Sequence, residues 1–65
     1  MNIRVNGKVE TIDSCTIAEL VMAKDLPTES LVVEHNLEIV KQVQWTEVSL
    51  EEDDQLELLS FVGGG

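Results

Sequence analysis

The sequence predicts an α+β fold in which a mixed β-sheet is covered on one face by a single helix. Three observations predict it: an Asn-Gly pair between two short alternating segments near the start, one helical signature in the interior, and a period-two apolar strand close to the end. At 65 residues the chain is one domain, and folding at this size buries only about 60% of the surface an unfolded chain exposes. So thin a core leaves little material for a walled catalytic pocket, which favours a protein that works by being bound.

Ile3-Arg4-Val5 alternates apolar and polar residues, and Asn6-Gly7 tolerates the positive φ that both centres of a tight hairpin turn require. The return strand runs from about Lys8 to Ile12. A two-residue turn pairs Val5 with Lys8 and puts Ile12 on the face of Ile3, whereas one further loop residue pairs Val5 with Val9 and Arg4 with Glu10. Pattern alone does not separate these registers. Thr16-Ile17-Ala18-Glu19 has the capping-box spacing, so a helix starts at Ile17. Ile17, Leu20 and Val21 form one apolar stripe flanked by Ala18 and Lys24. The pattern stops at Leu26-Pro27, because the residue before a proline disfavours helical dihedrals, leaving a helix of about two and a half turns.

Leu31-Val32-Val33 reads as a buried strand, Asn36 marks a turn, and Ile39-Val40 completes a second hairpin. From Lys41 to Leu50 the pattern is irregular, with Val43, Trp45, Val48 and Leu50 as the inward residues. Glu51-Glu52-Asp53-Asp54 is a turn by composition. A last strand runs from Gln55 to Val62, so the domain is placed at residues 1–62 and a Gly63-Gly64-Gly65 tail at 63–65. A right-handed crossover through the helix lets the first and last strands lie side by side and parallel at the sheet centre. That is the β-grasp layout of ubiquitin, although element order alone leaves other α+β folds open.

Four Lys and Arg face thirteen Asp and Glu, a formal charge of -9. Such a field repels phosphate backbones and anionic headgroups, so neither nucleic acid nor a membrane is expected as a partner. It speeds encounter with a protein that presents a Lys- and Arg-lined docking face; the alternative is that the acidic residues only keep a small domain soluble. The single cysteine, Cys15, cannot form an intramolecular disulfide, the opening Met1-Asn2-Ile3-Arg4 lacks the pattern of a signal peptide, and no apolar run reaches membrane-spanning length. A soluble, cytoplasmic protein is expected.

Period two in the last strand puts Leu56 and Leu58 on one face and Glu57, Leu59 and Phe61 on the other. One helix covers one face. Leu59 and Phe61, with Val62 beside them, are therefore expected as an apolar docking patch at the C-terminal end; a twist or a shielding loop that hides Leu59 is the alternative. Behind the strand, Gly63, Gly64 and Gly65 carry no Cβ, which suits entry into a narrow channel and leaves the carboxyl carbon of Gly65 unhindered towards attack on an acyl-adenylate. A merely flexible end is the alternative there.

Cys15 lies just ahead of the helix start, where a helix dipole can lower a thiol pKa, so it is a candidate nucleophile; otherwise it is a small residue filling a corner. His35 is a turn-flanking residue without a second His or Cys nearby, and no metal site is expected. Glu51 to Asp54 lacks the ligand spacing of a calcium loop and reads as a solvated turn or part of an acidic docking surface. Trp45 reads as a core anchor. The chain itself carries no expected catalytic residue.

With these elements in place the chain resembles the thiamine-biosynthesis sulfur carrier proteins, small ubiquitin-like β-grasp domains ending in Gly-Gly. The marks are Ile3-Arg4-Val5-Asn6-Gly7, Thr16-Ile17-Ala18-Glu19-Leu20, the hairpin from Val33-Glu34-His35-Asn36 to Val40, Trp45, and Leu56-Glu57-Leu58 running to Phe61-Val62-Gly63-Gly64-Gly65. The tail is the most specific of them. The chain departs from many members at Asp53-Asp54, where Gly-Asp is common, and at Leu37, where glycine often follows the asparagine. A non-glycine residue at positive φ costs about 1 kcal/mol or more, so the two turns are expected to differ in type.

The resemblance implies that a ubiquitin-activating-like partner adenylates the Gly65 carboxylate with ATP, the nucleotide and Mg being held by that partner and no cofactor by the chain itself. A persulfide donor then supplies sulfur to leave a thiocarboxylate, which thiazole synthase consumes, with Leu59 and Phe61 contacting both proteins. The small subunit of molybdopterin synthase, a ubiquitin-like protein modifier and a thiol enzyme using Cys15 are the other readings.

Overall fold

The computed structural model describes residues 1–61. The Asn6-Gly7 turn has φ of 51° and 83° at its two centres and joins β1 (Asn2–Val5) to β2 (Lys8–Thr11), with Val5 opposite Lys8. The two-residue register is therefore the one adopted. It leaves Ile3 and Val5 on the core face and Val9 on the outer face, 60% exposed.

Helix α1 (Ile17–Ala23) begins where the capping box places it. The Thr16 hydroxyl accepts from the Glu19 N–H at 3.2 Å, and the Glu19 carboxylate accepts from the Thr16 N–H at 2.9 Å. The helix has seven residues, shorter than the apolar pattern suggests. Lys24 caps it and Asp25 takes a left-handed φ of 54°, which ends the helix before Pro27 is reached. Two turns are too few to be stable alone. Ile17, Leu20 and Val21 hold the helix by burial against the sheet.

A single 3-10 turn over Thr28–Ser30 leads into β3 (Leu31–His35), which pairs antiparallel with β4 (Glu38–Val40) and with β5 (Gln55–Ser60). The strand order is β2-β1-β5-β3-β4, with β1 and β5 parallel. The last strand among the described residues is thus the middle strand of the sheet. Ile3, Val5, Ile17, Leu20, Val21, Leu31, Val33, Trp45, Leu50, Leu56 and Leu58 form the core between helix and sheet. Trp45 is its anchor, 4% exposed, with its indole N–H donating to the Val40 carbonyl at 3.0 Å.

Three expectations for the loops need correction. Val43, expected to point inward, is 79% exposed, because it sits in the middle of the 3-10 turn Gln42–Gln44, whose tight winding turns it away from the core that Trp45 enters. Asp54 is buried rather than part of a solvated acidic turn. The turns at Leu37 and Asp53 keep left-handed geometry without glycine, with φ of 73° and 69°, so they carry strain instead of changing conformation.

Candidate functional site: the end of the central strand

The outer face of β5 presents Gln55, Glu57 and Leu59, while Leu56 and Leu58 face the core and are 1% and 8% exposed. Leu59 is 44% exposed and Phe61, just past the strand, 62%. The alternative in which a twist hides Leu59 is not adopted. Across the ladder Leu59 stands opposite Val32, and Glu57 opposite Glu34, so two apolar residues lie beside two carboxylates on one sheet face. Glu34 and Glu57 side by side concentrate negative charge here, with Arg4 opposite Gln55 further along the same face, and such a cluster suits a cationic protein surface.

The strand end is held from both sides. On the β3 side, Ser60 lies opposite Leu31, and the Phe61 N–H donates to the Ser30 carbonyl at 2.8 Å. On the β1 side, the Asn6 side chain takes both backbone groups of Leu58: its Oδ1 accepts from the N–H at 2.8 Å and its Nδ2 donates to the carbonyl at 3.3 Å. An open cleft of about 300 Å3 lies beside this clamp, lined among others by Asn6, Lys8, Leu58 and Ser60. Sequence reasoning assigns Asn6 only to its turn. Nothing in the local pattern announces a contact across 52 residues.

At the opposite end of β5, Asp54 is 7% exposed and gathers three donors. Its carboxylate accepts from the Glu51 N–H at 2.9 Å and from the Asn36 amide at 3.2 Å, and lies 2.8 Å from Nε2 of His35. An ionised carboxylate only accepts, so the His35 Nε2 is the donor, and the 3.4 Å approach of the Asn36 amide to that same nitrogen is a contact rather than a bond. Burial raises the Asp54 pKa, but hydrogen bonds from His35, Glu51 and Asn36, together with the charge His35 carries when protonated, outweigh it and leave the carboxyl below its ordinary value. Here His35 is a structural partner.

Cys15 is half-buried, and its thiol is pushed up by burial, by Glu19 and by Asp13. The lowered pKa that a helix terminus can give is therefore absent, because two carboxylates and desolvation override a two-turn dipole. Among the described residues no group of three His, Cys, Asp or Glu is placed to hold a metal ion, and no helix is long and apolar enough to cross a membrane. The expectations for Val62, Gly63, Gly64 and Gly65 lie outside the described residues.

A mixed five-stranded sheet under one helix, with its C-terminal strand central and apolar residues exposed where that strand ends, defines a ubiquitin-like β-grasp domain. The model of the ThiS family matches residues 3–65, tail included, and the chain belongs to that family. The crystal structure of a thiamine biosynthesis protein (ThiS) from Geobacter metallireducens superposes with a TM-score of 0.86 at 35% identity, covering 100% of both chains. The sulfur carrier protein ThiS of Bacillus subtilis is 38% identical over 82% of this chain and 80% of its own length. The thiazole synthase of Magnetococcus marinus is 36% identical over all of this chain, which spans only 20% of that protein's length.

Proposed function

We propose that the chain is a sulfur carrier for the thiazole moiety of thiamine, working through the carboxylate of Gly65. The observation that carries this reading is the ThiS family match, which runs through the Gly63-Gly64-Gly65 end of a domain whose central strand exposes Leu59 and Phe61. In the first step a partner enzyme lets the Gly65 carboxylate attack the α-phosphorus of ATP, and pyrophosphate leaves. The terminal sulfur of a persulfide donor then attacks the acyl carbon and expels AMP. Cleavage of the resulting acyl disulfide by a thiol leaves the thiocarboxylate, and the thiol sulfur ends in a disulfide with the donor.

The chain's own residues supply docking and delivery. Leu59, Phe61 and Val62 are the apolar contact for both the adenylating enzyme and thiazole synthase, and Glu34 and Glu57 orient a cationic partner face. Thiazole synthase as recipient is supported by the relative in which a domain like this one makes up a fifth of a protein of that name. Docking confines the sulfur nucleophile beside its acceptor and raises its effective concentration.

Intact-mass measurement tests the reading, after incubation with the adenylating enzyme of the same organism, ATP and a persulfide donor. The expected gain equals the exchange of one oxygen for sulfur, mapped to the C-terminal peptide. Mapping to Cys15, or full sulfur delivery by a chain lacking Gly64 and Gly65, overturns it.

A further inference from the structure

Strand β5 outruns β1. The parallel register pairs Arg4 with Gln55 and Val5 with Leu56, and β1 then turns back at Asn6-Gly7. The Asn6 N–H still reaches the Leu56 carbonyl at 2.9 Å. Beyond that point the backbone groups of β5 that face this side belong to alternate residues, Leu58 and then Ser60, and among the described residues no strand lies opposite them. The Asn6 side chain fills the first position, its primary amide replacing the donor and acceptor that a neighbouring strand would offer Leu58.

We propose that Asn6 is a positioning residue for chemistry at the tail, an inference that rests on the carrier reading above. Leu59 and Phe61 are the docking residues, and Gly65 follows Phe61 by four positions. Any rotation of the strand end about Leu58 changes the direction in which the chain leaves the docked face. The β3 side still holds Ser60 and Phe61 when the Asn6 clamp is lost, so Leu59 and Phe61 stay docked, while the carboxylate, which must meet the α-phosphorus of ATP in line, finds the productive pose less often. Asparagine suits both duties at this site. It tolerates the left-handed φ of 51° that the turn demands, and its short amide spans to Leu58. Glycine satisfies the turn but not the ladder, and aspartate supplies the acceptor alone.

The test compares wild type with Asn6→Gly and Asn6→Asp in ATP–pyrophosphate exchange catalysed by the adenylating enzyme of the same organism, with amide hydrogen exchange read in parallel. Asn6→Gly is expected to lower kcat about tenfold while KM for the carrier stays within about twofold, and Asn6→Asp, which keeps the 2.8 Å acceptor but turns a carboxylate oxygen towards the Leu58 carbonyl, to recover only part of the rate. The Leu58 amide exchanges faster in Asn6→Gly than in wild type. Thr16→Ala, which weakens the helix cap, serves as a stability control and keeps the wild-type kcat. An Asn6→Gly protein that exchanges Leu58 faster yet turns over normally overturns the inference, as does an equal loss of kcat in Thr16→Ala. If Asn6→Gly does not fold, Asn6→Ser, whose hydroxyl cannot hold both groups of Leu58, decides on the same kcat criterion. Absence of exchange with wild type instead overturns the carrier reading itself.

Discussion

The His35 imidazole stands 2.8 Å from the Asp54 carboxylate and ties the turn before β5 to the β3–β4 hairpin. Asp54 is held below its ordinary pKa in the folded state, so its contribution is fully present above the unfolded value, near 3.8, and is lost as pH falls through the lower folded value. Asp54→Asn is expected to cost about 1–3 kcal/mol at neutral pH, because the buried donors lose a charged acceptor. The difference between variant and wild type should shrink below pH 3.8, which urea unfolding across the acid range measures. A constant difference at every pH contradicts the linkage.

Leu37 combines a φ of 73° with 86% exposure, so its side chain contributes strain without compensating burial. Leu37→Gly relieves about 1–2 kcal/mol of left-handed strain and loses roughly half of that to unfolded-state entropy. A net gain of about 0.5–1 kcal/mol is expected as a higher urea midpoint with an unchanged slope. Leu37→Ala, which keeps a Cβ at the same φ, should show no such gain.

Phe61→Ser and Leu59→Ser separate docking from folding. Phe61 is 62% exposed, and its replacement should shift stability by no more than about 0.5 kcal/mol. Leu59, half covered by its neighbours, should cost somewhat more. Binding to the adenylating enzyme and to thiazole synthase, measured by calorimetry, should weaken by about 2 kcal/mol or more for Phe61→Ser, the scale of an interface anchor. Unchanged affinity for both partners removes this patch from the docking surface.

Cys15 is expected to be dispensable for sulfur transfer. Its thiol is pushed up by burial, Glu19 and Asp13, so it should react with iodoacetamide at neutral pH more slowly than a free cysteine. Cys15→Ala should deliver sulfur at a rate within about twofold of wild type.

What the sequence made legible is what is local. The Asn6-Gly7 turn, the Thr16–Glu19 capping box and the alternation of Leu56, Leu58 and Leu59 each follow from residues within a few positions of one another, and each appears in the structure as written. Register of the first hairpin needed the turn's actual dihedrals. The clamp of Asn6 on Leu58 and the burial of Asp54 beside His35 join residues distant along the chain, and no local period encodes such pairs. Val43 was misplaced because the segment from Lys41 to Leu50 has no regular period, and the 3-10 turn at Gln42–Gln44 buries Trp45 while turning Val43 to solvent. Leu37 and Asp53 keep glycine-like φ because the pairings around them leave no room for another turn.

The central place of β5 links folding to use. Within the sheet of the described residues, the β1–β2 ribbon and the β3–β4 ribbon are joined by this last-made strand, whose Leu56 and Leu58 complete the interior. A chain stalled before residue 55 has two unjoined ribbons, no finished interior and nothing to hand over. The segment that completes the domain is also the one that leads to Gly65, so a partner that grips the sheet around Leu59 before acting on the tail selects molecules whose assembly is complete.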